Sequence, residues 1–128
     1  MLGSTRMRHV MTSRLVALCF DANEPLRLAR FWAEALRWNV GDESDEGVEL
    51  LSTDGTALRI DFLPVPEAKS QKNRIHLDLT TASVADQQDT VTRLIEIGAT
   101  PLDIGQGDVS WVVLADLDGN EFCVLTPR

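Results

Sequence analysis

Histidine is scarce in this 128-residue chain: there are two, His9 and His76. A site of two histidines and one carboxylate would therefore need His9, which sits in a ragged N-terminal stretch. Cysteine is as rare, and neither Cys19 nor Cys123 belongs to a CxxC spacing, which argues against a redox pair or a soft-metal site. Both lie in apolar, strand-like runs and are expected to be reduced, buried thiols. Basic residues number 12 against 20 acidic ones, for a net charge of −8. That balance excludes non-specific binding to nucleic acid or anionic membrane, since both need a basic face. No apolar run approaches the roughly 18 residues of a membrane span. The opening MLGSTRMRHVMTSR carries charge but no apolar segment, so it does not read as a secretion signal. Residues 1–12 are expected to form a flexible leader, and the cytoplasm is the expected compartment. "GQGD" at 105–108 is too short and misplaced for a phosphate loop, and no Ser/His/Asp triad is in view.

What is present is an ordinary globular composition, 44% apolar and 25% charged, in a chain long enough for one domain with a real core. Its periodicity changes in a repeated order. Arg14–Phe20 reads as an apolar strand. Asn23 then offers an N-cap and Pro25 a first-turn residue, and Leu28, Phe31, Trp32, Ala35 and Leu36 recur at helical spacing. Trp38–Val40, an acidic turn over 41–47, Val48–Ser52, the hairpin signal Asp54-Gly55 and Leu58–Leu63 follow. The second half repeats this. Arg74–Thr80 is a strand; Ser83 with Asp86 resembles a capping box; Val84, Val91, Leu94 and Ile95 form a stripe; Gly98 closes the helix. Three short runs complete it: 101–104, 110–115 and 121–126. Residues 13–128 thus form one domain, with module one at 13–63, a proline- and lysine-bearing linker at 64–73 and module two at 74–127.

Each helix needs a sheet face to cover. In KNRIHLDLT (72–80), alternation puts Ile75, Leu77 and Leu79 beneath the second helix and points His76 and Asp78 the other way. By the same parity Glu121 and Cys123 share the helix-free face, while Phe122 and Val124 sit with the helix. The expectation is a cleft between helix-free faces, lined by His76. Trp32 belongs to the core. Trp111 alternates with Val113 and Ala115 and fits a ligand shelf at the rim as well as it fits the core. Arg59 and Asp61 lie on the helix-free face, as an ion pair or, for Arg59, as a counter-charge to an anionic substrate. Asp116 and Asn120 read as turn residues that satisfy backbone amides.

Three pieces in this order, LARFWAEALRW (28–38), NRIHLDLT (73–80) and WVVLADLDGNEFCVL (111–125), give the chain a resemblance to the vicinal oxygen chelate superfamily, in its glyoxalase-like branch. The resemblance covers about residues 14–127. It implies an α+β fold of two βαβββ modules, whose curved mixed sheets form a cup with the helices outside. In metal-dependent members a divalent ion is held by residues of the first and last strands of each module. His76 and Glu121 fall on two of those positions and are the catalytic and metal-ligating candidates. Their module-one counterparts are Val16 and Ala57, which ligate nothing, and a third ligand would have to come from Asp78, Asp61 or Glu49. The incomplete set implies no cofactor, with a divalent ion as the one cofactor the resemblance leaves open. The expected function is binding of a small molecule in a cleft lined by His76 and Glu121, with Asp78, Arg59 and Trp111 as further ligand contacts. The competing expectation is a metal-dependent lyase, isomerase or dioxygenase in which the ion stabilises an enediolate-like anion. Such proteins often pair, so a homodimer is expected.

Overall fold

In the computed structural model, residues 12–103, 105, 107 and 109–128 are described. Residues 1–11, most of the expected leader and including His9, lie outside them. Eight strands and two helices run in the order β1 (Ala17–Ala22), α1 (Pro25–Leu36), β2 (Asn39–Ser44), β3 (Gly47–Leu51), β4 (Arg59–Pro64), β5 (Leu77–Leu79), α2 (Val84–Glu96), β6 (Thr100–Pro101), β7 (Val112–Ala115) and β8 (Glu121–Val124). Two four-stranded sheets result, ordered β1-β4-β3-β2 and β5-β8-β7-β6. In each, the first and last strands of the module pair in parallel and the remaining neighbours are antiparallel. This is the expected α+β arrangement of two βαβββ units.

Local chemistry departs from expectation in places. Glu24, not Asn23, precedes α1, and it makes no side-chain cap. Asn23 instead donates its side-chain amide to the carbonyls of Val65 and Glu67 (3.1 and 2.9 Å), tying the linker to the end of β1. The acidic stretch is mostly strand: a register shift between Val40 and Glu43 lets β2 continue to Ser44 before the turn. Asp54-Gly55 sits in a loop longer than a tight hairpin, because Asp54 accepts from Thr56 (N, 3.0 Å; Oγ1, 2.7 Å) and from Trp38 Nε1 (3.1 Å). The second helix begins as expected, with Ser83 Oγ accepting from the Asp86 amide at 3.0 Å and the Asp86 carboxylate accepting from Ala82 N at 2.8 Å. Gly98 follows with φ +121°, and a Cβ there would lie 2.5 Å from Leu117 Cδ2. Cys19 is exposed rather than buried, since it shares the open face of sheet one with its register partner Asp61; Cys123 is buried.

The core is one cluster shared by both modules. Leu28, Phe31, Trp32 and Ala35 of α1 meet Val48, Leu50, Ile60 and Phe62 of sheet one, while Leu94, Leu114, Phe122 and Val124 join from module two. All four phenylalanines and Trp32 form a chain of edge-to-face rings. Phe62 meets Phe20 at 5.4 Å, Phe20 meets Trp32 at 6.1 Å, and Trp32 meets Phe122 at 4.8 Å, with Phe31 against both of the last two. Trp32 also crosses the junction as a donor: its Nε1 gives a 2.9 Å hydrogen bond to Asp116 Oδ2 in the β7–β8 turn. Asp116, 4% exposed, accepts as well from the amides of Asp118 and Asn120 and from the Asn120 side chain. Burial pushes its carboxyl above the usual range, while the donors from Asn120, Trp32 and Asp118 oppose that shift. No described helix is long and apolar enough to cross a membrane.

Trp32→Phe keeps most of the ring packing but removes a donor from a buried carboxylate. It is expected to destabilise the fold by about 1–3 kcal/mol, read as a lower urea midpoint with an unchanged slope.

Candidate functional site

A cavity lies beside the free edges of β1 and β5, under the linker. It measures about 500 Å³. Its apolar walls come from Leu18, Phe20, Trp32, Leu77 and Phe122, with Ile75 at the mouth, and its polar rim includes Asp21, Asn23, Asp118 and Asn120. Residues of both parities on β1 take part: Leu18 and Phe20 from the helix-covered face, Cys19 and Asp21 from the other. The cavity therefore straddles a sheet edge and is not enclosed between two helix-free faces as alternation suggested.

Glu121 opens β8 and is only 7% exposed. Its Oε1 receives the Lys69 ammonium at 3.1 Å and its Oε2 the Asn73 amide at 2.9 Å. The Asn73 side chain also reaches the Glu121 carbonyl, and Lys69 Nζ further contacts the Gln71 carbonyl. Burial pushes the Glu121 carboxyl up, but the Asn73 amide, its own backbone amide and the Lys69 ammonium lower it, and the group is held below the usual carboxylate range. Glu121 thus lines the cavity as half of a clasp that holds linker residues 69–73 over it.

His76 is elsewhere. A bend at Arg74–Ile75 cuts the expected strand 74–80 to Leu77–Leu79. The bend lets the Asn73 amide reach Glu121, brings Ile75 to the cavity and leaves His76 exposed, with Nε2 3.1 Å from the Asn73 carbonyl oxygen. His76 does not line the cavity. Asp78 is exposed on the helix-free face opposite Cys123, whose thiol is pushed up by burial and by the Asp78 carboxylate. Arg59 pairs with Asp61 at 3.0 Å on the open face of sheet one, and Asp61 is the main cause of its raised pKa. Neither lines the cavity. Trp111, just before β7, is 37% exposed and does not line the cavity. Of the expected site residues only Glu121 reaches the cavity. The strap residues Lys69 and Asn73 escaped notice because a polar, proline-flanked segment carries no periodicity. Asn23 gave a signal, read as a cap.

The residues do not fit a divalent ion. His76 and Glu121 are engaged separately, Val16 and Ala57 offer no donor, and among the described residues no three of His, Cys, Asp or Glu come together in a ligating group. Glu49 and Asp61 are register partners on sheet one, beside Cys19, and do not complete the set.

The glyoxalase-like domain family matches residues 17–125, most of the chain. This chain belongs to that family. Solved structures of vicinal oxygen chelate proteins share its fold. A glyoxalase/bleomycin resistance protein/dioxygenase family enzyme from Burkholderia phytofirmans PsJN is 14% identical, with a TM-score of 0.73 over 91% of this chain and 100% of that one. The fosfomycin resistance protein FosX from Mesorhizobium loti is also 14% identical, with a TM-score of 0.68 over 91% and 94%. FosX from Listeria monocytogenes, solved with Mn(II) and 1S,2S-dihydroxypropylphosphonic acid, is 12% identical, with a TM-score of 0.68 over 91% and 92%. No curated protein matches. At these identities the structural likeness establishes the fold; glyoxalase-like folds include metal-binding members.

The lowered carboxyl of Glu121 fixes a pH dependence. Its folded pKa lies below the unfolded one, so its contribution is present above the ordinary carboxylate range and is lost as pH falls through the folded pKa. Glu121→Gln is therefore expected to cost about 1–3 kcal/mol at pH 7, and the gap in urea midpoint from the unsubstituted chain should shrink on acidification. A gap independent of pH would contradict the clasp.

Proposed function

We propose that this glyoxalase-like domain binds a small molecule in the cavity beneath the 64–73 linker. The observation that carries the reading is the cavity itself. Its volume lies within the range of about 300–1,000 Å³ typical of ligand sites, and it combines an apolar wall with a few polar groups converging on it. Trp32 and Phe122, fixed by the core, give a rigid surface for an apolar or ring-bearing body. Asp21, Asn23, Asp118 and Asn120 contribute polar groups to the lining. Glu121 takes part as a wall and strap anchor, and His76, Asp78, Arg59 and Trp111 drop from the contact set. Binding is by shape and hydrogen bonding, with no step that requires a reacting group.

The expected homodimer and cytoplasmic location go with this reading. Leu51 and Leu63 remain exposed on the helix-free face of sheet one, an apolar surface suited to a second copy. Sedimentation equilibrium would show a dimer that Leu63→Asp weakens.

Leu18→Trp fills the cavity from the β1 side without touching the clasp. A panel of aromatic and aliphatic amines, alcohols and acids is screened by thermal shift against both proteins. Compounds that raise the melting temperature of the unsubstituted chain are expected to lose at least tenfold in affinity for the variant, a difference of about 1.4 kcal/mol. Equal binding to both would place the ligand outside this cavity.

A further inference from the structure

The resemblance implies that Glu121 falls where metal-dependent members hold an ion, yet here both of its oxygens are in use. One receives an ammonium and the other a backbone amide, and the two donors come from the same short strap. The carboxylate is almost fully buried, and Lys69 itself has only 21% of its side chain exposed. A buried carboxylate needs a counter-charge or enough donors to hold it ionised. Lys69 Nζ is the one cationic group that meets that need in the described structure; the carboxylates that share the cavity lining are Asp21, Glu67 and Asp118.

We propose that Lys69 is the resident cation of this cleft: its ammonium supplies Glu121 with the positive charge that a divalent ion supplies in metal-dependent members, and competes with any ion for that carboxylate. The single positive charge is tethered to the linker, so charge neutralisation at Glu121 and closure of the strap over the cavity become one event. A free ion would neutralise the carboxylate from any direction. A lysine does so only when residues 69–73 lie across the opening, where the Asn73 amide and Asn73 side chain also reach Glu121. Asn23 fixes the other end of the strap through Val65 and Glu67. Lys69 is in this sense a positioning residue, acting through Glu121 on the strap.

The test follows the Asn73 amide, which donates to Glu121 and so reports on the clasp, by hydrogen exchange and by its broadening with Mn(II) in NMR spectra. In the unsubstituted chain the amide is expected to exchange slowly and to stay sharp in 1 mM Mn(II). In Lys69→Ala its exchange should quicken at least tenfold and Mn(II) should broaden it, whereas the Lys69→Ala/Glu121→Gln double variant should show no such broadening. Lys69→Arg should restore slow exchange. Two results would overturn the proposal: broadening by Mn(II) in the unsubstituted chain that Glu121→Gln abolishes, or a Lys69→Ala variant that keeps either the slow exchange or the sharp Mn(II) response of the parent. Either would leave ligand binding by the cavity, judged with Leu18→Trp, standing on its own.

Discussion

The contact on which the rest depends is that of Trp32 with module two. Its ring packs edge-on against Phe122 at 4.8 Å, and its indole N–H reaches the buried Asp116 carboxylate. An aromatic pair of this kind contributes roughly 0.5–1.5 kcal/mol beyond the burial of its area. The larger consequence is geometric. Two four-stranded sheets share no ladder, so side chains at the junction set how one sits on the other. The ring chain from Phe62 through Phe20 and Trp32 to Phe122 does so in the core, and the bond to Asp116 fixes the turn that leads into Glu121. Cavity wall and junction are therefore the same residues: Phe20, Trp32 and Phe122 hold the modules together and form the apolar surface a ligand would meet.

The second constraint is the strap. A linker of polar residues and prolines has little apolar area to bury, so hydrogen bonds must order it. Asn23 at one end and Glu121 at the other provide them, from just past β1 of the first module and from β8 of the second. The strap spans the two modules and roofs the space between their edges. That space persists because β1 and β5 are edge strands that do not pair with each other.

The repeat, the helix stripes and the parity of β8 were legible because each follows a period that burial enforces: Phe122 and Val124 lie in the core cluster, and Glu121 and Cys123 lie off it. The site was less legible. Alternation extended through Arg74–Thr80 carries His76 to the same face as Glu121. It fails where a backbone amide is worth more to a buried carboxylate than to a ladder, and the chain bends at Arg74–Ile75 to deliver Asn73. Cys19 departs from expectation for a related reason: its apolar neighbours alternate on β1, and only the helix-covered half of them is wholly or partly buried. Asn23 before Pro25 has the composition of a cap, and nothing local reveals that its amide is drawn to carbonyls more than forty residues away.

Under the proposal that Lys69 is the resident cation, the residue that opens the last strand, Glu121, serves a different end here from the one the resemblance implies for metal-dependent members. A carboxylate buried at the head of the last strand must have a positive partner or enough hydrogen-bond donors, or lose its charge. Where several donors converge, that partner can be an ion, and the cleft gains Lewis acidity. Here the first module brings Val16 and Ala57 instead, and the partner is a lysine from the chain between the modules. The charge requirement is met in either case, but a tethered ammonium has no Lewis-acidic coordination site and meets a substrate oxygen only as a hydrogen-bond donor. What it offers instead is mechanical: the charge that stabilises Glu121 also draws the strap across the cavity.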